Sequence, residues 1–100
     1  MESTTGDEVK LPCHVSPSAT TNVTWIHAEI LLHGPPSHFY IYVNGHFDEK
    51  VRRRFSIYNA NGGDYSLKIL NIKDYDSGHY RCYNQQLVIK NYLIYVNGKY

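Results

Sequence analysis

A chain of 100 residues is long enough for one domain and too short for two, since single cores form at about 50 to 200 residues. With 42% apolar residues, 19% charged residues and a formal net charge of +1, it lies near average globular usage and carries no field that favours nucleic acid or an anionic membrane. No apolar run approaches the roughly 20 residues that span a bilayer, and the stretch from Met1 to Thr5 has neither a basic start nor an apolar signal segment. The expectation is an excised ectodomain with an added initiator Met and no direct membrane contact of its own.

In chain order, short segments of alternating apolar and polar residues are broken by turn residues about every 8 to 15 positions, the habit of an all-β sandwich, and no segment sustains a helical period. A first strand is expected over residues 9–15, with Val9, Leu11, Cys13 and Val15 on one face. After the turn Ser16-Pro17-Ser18, residues 23–27 place Val23 and Trp25 on one side and Ile26 on the other. Residues 39–43 are apolar on both faces and end in Asn44-Gly45, the pair best able to form a type I′ hairpin turn, so a strand should return through Phe47 to Val51. Strands over 54–58 and 65–70 flank the turn-rich 59–64, and a last hairpin joins 79–84 to about 89–96 through the short loop 85–88.

Cys13 and Cys82 stand 69 positions apart, which suits neither the short spacings of zinc sites nor the Cys-x-x-Cys of redox enzymes. A disulfide is the better reading. On the chain-entropy model, closing such a loop stabilises the fold by roughly 4 kcal/mol, and the bond persists only in an oxidising compartment outside the cytosol.

The run Lys73-Asp74-Tyr75-Asp76-Ser77-Gly78-His79-Tyr80-Arg81-Cys82 resembles the Asp-x-Gly-x-Tyr-x-Cys signature of immunoglobulin V-set domains, and Cys13, Trp25 and Arg54-Phe55-Ser56 stand where its companions are expected. The resemblance covers residues 9–96 and implies one V-type domain over 1–100: two antiparallel sheets joined by a Cys13–Cys82 bridge over Trp25, with Tyr80 in a tyrosine corner and Arg54 paired to Asp76. It also implies that the hairpin over 39–51 supplies the C′ and C″ strands. Two departures limit it. No Phe-Gly-x-Gly bulge follows Cys82, and Ala28 occupies the strand-C position where antigen-receptor domains carry a pairing Gln. The chain is therefore more similar to invariant leukocyte receptors, including the novel immune-type and butyrophilin-like groups, than to rearranging receptors.

Ten tyrosines are the compositional outlier. If Tyr80 and Cys82 face inward, Arg81 and Tyr83 face outward, and the same period turns Ile26, Leu93 and Tyr95 outward on neighbouring strands, with Tyr40 and Tyr42 beside them. In the V-set arrangement these strands form one G-F-C-C′ sheet, and aromatics joined by an Arg are the residue types enriched at binding hot spots. The plainer alternative is that tyrosines simply suit a pleated surface. The expected partner is a protein on another cell, or a copy of the chain in a weak isologous homodimer.

Other features carry less. His27, His33, His38 and His46 fit no helical pair or zinc knuckle and read as solvated loop residues, so neither metal nor cofactor is expected. Arg52-Arg53-Arg54 reads as ordinary strand residues, too few for nucleic-acid affinity. Asn22-Val23-Thr24 is an acceptor sequon for N-linked glycan. No nucleophile with its base, enclosed carboxylate pair or phosphate loop can be argued, so an enzyme is not expected. The readings left are a ligand-recognition ectodomain of a plasma-membrane or secreted immune-type receptor, a homophilic adhesion domain, and a structural spacer in a multi-domain chain.

Overall fold

The computed structural model describes residues 1–16, 21–29, 38–43, 45–49 and 51–97. Among these residues nine strands form: β1 (Glu2–Thr4), β2 (Val9–Leu11), β3 (Val23–Glu29), β4 (His38–Val43), β5 (His46–Phe47), β6 (Phe55–Asn59), β7 (Asp64–Ile69), β8 (Gly78–Asn84) and β9 (Leu87–Asn97). Single 3-10 turns occupy Ala60–Gly62 and Asp74–Asp76. One sheet has the order β1-β9-β8-β3-β4-β5 and the other β2-β7-β6. Every pairing is antiparallel except that of β1 with β9. No helix among the described residues is long and apolar enough to cross a membrane.

Period-2 alternation on the two facing sheets supplies the core. Leu11, Trp25, Leu67, Ile69, Tyr80 and Ile94 are fully buried between the layers, joined by Val9, Val23, Phe55 and Ile72. The Cys13–Cys82 disulfide links the segment after β2 to β8, with the Cα atoms 6.6 Å apart. The indole Nε1 of Trp25 donates to the Tyr65 carbonyl at 2.8 Å, so the buried ring leaves no orphaned donor. Beneath it the Tyr80 hydroxyl donates to the Asp76 carbonyl, forming the tyrosine corner.

The Arg54–Asp76 pair closes that end of the sandwich. Two parallel bonds of 2.7 and 3.0 Å make it bidentate, and the Lys73 backbone N–H adds a third donor to the carboxylate at 2.7 Å. The bond to Asp76 raises the Arg54 pKa above its ordinary value despite the opposing cost of partial burial.

Several sequence expectations change. The strand read over 9–15 ends its regular pairing at Leu11, because Pro12 has no N–H to give the ladder. Contact resumes when Tyr65 N–H donates to the Cys13 carbonyl and Val15 N–H to that of Gly63. The return strand from the 39–43 segment is only β5, and residues 51–54 form turns on the Asp48 and Val51 carbonyls. Arg52 and Arg53 are therefore exposed turn residues, not strand residues. Of the expected Asn44-Gly45 turn, Gly45 has the positive φ (+81°) such a turn needs, while Asn44 lies outside the described residues. The turn Ser16-Pro17-Ser18 is described only at Ser16, and His33 is likewise outside.

β1 was not foreseen, and it pairs Glu2, Ser3 and Thr4 with Tyr95, Val96 and Asn97. The last hairpin is tighter than expected: Leu87 and Val88 already pair in β9, leaving a two-residue turn in which Gln85 adopts φ +59°.

Candidate functional site

Strand registers place the outward residues in rows across the larger sheet. Ile26 sits opposite Tyr40 on one side and Arg81 on the other, and Arg81 faces Asn91. In the next row Val43, Thr24, Tyr83 and Val88 are consecutive partners. Between these rows lies a shallow depression of about 350 Å³, lined by Thr24, Ile26, Tyr40, Tyr83, Gln85 and Gln86. Thr24 and Ile26 come from β3, Tyr40 from β4 and Tyr83 from β8, while the β8–β9 turn brings the two glutamines. That turn is tied to the segment before β3, since Gln85 N–H donates to the Asn22 carbonyl at 2.9 Å and Asn22 N–H to Asn84 Oδ1 at 3.1 Å. The depression therefore lies on braced backbone.

Of the residues expected on this face, Ile26, Tyr40 and Tyr83 line one depression and Arg81 is next to Ile26 in its row. Leu93 lies opposite His79, beyond that row, and Tyr95 lies farther along β9 beside Glu2. Tyr42 is a correction. Its partner is Trp25 while Tyr40 pairs with Ile26, so Ile41 is an extra residue in β4 and the bulge breaks the alternation that would have turned Tyr42 outward. Tyr42 is instead buried, with its ring 5.0 Å from that of Phe47. Burial first, and the nearby Tyr65 second, push its phenol pKa upward.

His27 is a second correction, being a buried β3 residue and not a solvated loop histidine. Its ring stacks on Tyr80 at 4.2 Å, meets Phe39 edge-on at 4.9 Å, and brings Nε2 within 3.2 Å of the Ser77 carbonyl. His46 is exposed. Among the described residues no three of His, Cys, Asp or Glu gather where a metal could be held.

Much of the tyrosine enrichment turns out to be structural. Tyr80 and Tyr42 are core residues. Tyr92 stacks near Trp25 at 6.3 Å and donates its hydroxyl to the Pro12 carbonyl, and partial burial raises its pKa. Tyr58 lies on the smaller sheet with Lys10 Nζ 4.3 Å over its ring, and Tyr75 has the Arg54 guanidinium at 5.6 Å. Tyr40 and Tyr95 stay open on the larger sheet, with Tyr83 half-buried. Sequence reasoning missed Thr24, Gln85, Gln86 and the exposed pair Leu87 and Val88. The loop expected over 85–88 holds for Gln85 and Gln86, whereas Leu87 and Val88 pair in β9, and the apolar Leu87-Val88-Ile89 run is a usable strand signal.

A disulfide set over a buried tryptophan, a tyrosine corner and a forked Arg–Asp pair between two β-sheets define an immunoglobulin-type sandwich. The family model of the immunoglobulin V-set domain matches residues 1–97, and the chain belongs to that family. Among solved structures, the first immunoglobulin domain of the mouse polymeric immunoglobulin receptor aligns over 99% of this chain and 91% of its own, at 18% identity and a TM-score of 0.71. A chain of the complex between the first immunoglobulin domains of Dpr1 and DIP-eta aligns over 96% of this chain and 86% of its own, at 22% identity and a TM-score of 0.70. The extracellular domain of the voltage-gated sodium channel beta4 subunit, solved as parallel homodimers, aligns over 100% and 85% at 14% identity and a TM-score of 0.66. Identities this low carry the fold and nothing finer. Among curated proteins no sequence match was found.

Cys82 pairs with Lys90 but Tyr83 pairs with Val88, so β9 carries its bulge at Ile89 without a glycine.

Proposed function

We propose that this V-set domain is the ligand-recognition ectodomain of a cell-surface immune-type receptor, and that it binds a protein partner through the outward face of β9-β8-β3-β4. The observation that carries the reading is the depression joining Ile26, Tyr40 and Tyr83, with Arg81 at its edge. Rigid aromatic and aliphatic groups on braced strands bind with little loss of side-chain entropy. The two-residue β8–β9 turn adds no long loop, which favours docking on the sheet surface over loop-end antigen reading. In this reading the domain is a non-enzymatic, extracellular binding module, which its V-set membership and its Cys13–Cys82 disulfide favour.

Homophilic adhesion through the same face is the second reading. The exposed Leu87 and Val88 extend the apolar area to the sheet's tip, and two-fold pairing of such a patch needs only one surface. The homodimeric beta4 subunit and the Dpr1 complex with DIP-eta are sandwiches of this kind engaged with like domains.

A screen of labelled domain against a cell-surface protein library, run beside sedimentation of the domain alone, separates the two. Tyr40→Ala and Tyr83→Ala should each weaken whichever association is found by about tenfold or more, while Tyr58→Ala on the opposite sheet should leave it unchanged. Equal binding by all three variants would remove this face from consideration.

A further inference from the structure

A second concavity lies elsewhere in the domain. It is a cleft of about 390 Å³ lined by Thr21, Asn22, Val23, Tyr42, Gly45, Ala60 and Tyr65, and it shares no residue with the outward depression. We infer that Asn22 is an N-linked glycan attachment site whose first N-acetylglucosamine docks in this cleft against Tyr42 and Tyr65.

Four observations carry this. Asn22 opens the sequon Asn22-Val23-Thr24 and is exposed. Its backbone is clamped on both sides, N–H to Asn84 and carbonyl to Gln85, yet its side-chain amide makes no hydrogen bond among the described residues. The attachment atom is thus presented from a fixed point and not used structurally. The cleft itself is of the size that takes small ligands, and Gly45 leaves its part of the wall open, with nothing within 4 Å of where a side chain would start. Finally, the half-buried Tyr65 supplies ring surface for the apolar face of a sugar, and Tyr42, buried behind it, reaches the cleft only with its small exposed remainder. Neither hydroxyl has a hydrogen-bond partner among the described residues.

Attachment needs a polyprenyl-pyrophosphate-linked oligosaccharide as donor. The bond forms between Asn22 Nδ2 and C1 of the N-acetylglucosamine while the C1–oxygen bond to the pyrophosphate breaks. The pyrophosphate leaves with the electron pair, and one amide proton passes to the transferase's base. Because the cleft shares no lining residue with the outward depression, the inference stands apart from the binding reading.

The test is secretion of the chain from a glycosylating eukaryotic host behind a cleavable signal. Intact mass should show one N-glycan on the parent and on Thr24→Ser, and none on Asn22→Gln or Thr24→Ala. On the folded parent, the acetamide methyl of the first sugar should give nuclear Overhauser contacts to the Tyr65 ring. Removal of the glycan by peptide amidase should be about tenfold slower for folded than for unfolded protein, the factor that roughly 1.4 kcal/mol of docking provides. A secreted parent with unmodified Asn22 overturns the attachment site. A glycan with no contact to either ring, released equally fast from folded and unfolded chain, overturns the docking.

Discussion

Replacing Arg54 by Met tests how the lower end of the sandwich is held. The substitution keeps most of the aliphatic stem and removes both guanidinium bonds to Asp76, whose side chain is only 5% exposed. Among the described residues the carboxylate then keeps the Lys73 N–H as its remaining donor. Orphaning a buried charge costs about 3–5 kcal/mol, but the Arg54 side chain is 23% exposed, so water can reach part of the vacated space. A loss of about 2–3 kcal/mol is the discounted figure. For a domain of this size that lowers the melting temperature by roughly 10–20 °C. Thermal unfolding followed by circular dichroism measures it. The double variant Arg54→Met with Asp76→Leu should recover most of the loss, because no unpaired charge remains. An Arg54→Met protein that melts within about 2 °C of the parent, or a double variant worse than the single one, would refute the reasoning.

Two glycines with positive φ should respond differently to alanine. At Gly78 a Cβ would fall 2.3 Å from the Ala28 carbonyl oxygen of the adjacent strand, so Gly78→Ala should cost about 3 kcal/mol or more. Gly45→Ala meets open space and should cost only the backbone strain, about 1 kcal/mol in urea unfolding. The Asp64 pKa is lowered chiefly by hydrogen bonds from Ser66, with His14 and Lys10 adding to it. A depressed carboxylate stabilises the fold above its unfolded value of about 3.9, and that contribution is lost as pH falls through the lower folded value. Asp64→Asn should therefore flatten the acid limb of a pH–stability curve below about pH 4 and leave its neutral region parallel to the parent's.

The parts of this fold that were legible in the chain are those where one residue type is needed at one place. Cys13, Trp25, Arg54, Asp76, Tyr80 and Cys82 make the contacts that the resemblance to V-set domains implies. Backbone-led features were not legible. β1 is Glu-Ser-Thr, with no apolar alternation to announce it, and it is held by main-chain pairing to β9. Bulges did the most harm to the reading of the site, because one extra residue reverses every face beyond it. The bulge at Ile41 took Tyr42 out of the candidate face and made it core. His27 was misread for a related reason: a polar side chain inside a sandwich is recognisable only once Tyr80 and Phe39 are seen on either side of it.

Backbone amide shifts of the isotopically labelled domain give the most direct test of the binding face. They would be followed on titration with a captured partner, or with the domain's own concentration. Changes should centre on Ile26, Tyr40, Arg81, Tyr83 and Val88, with Lys10, Ser56, Tyr58 and Lys68 on the smaller sheet unmoved. Shifts confined to that smaller sheet would contradict the proposed mode of recognition.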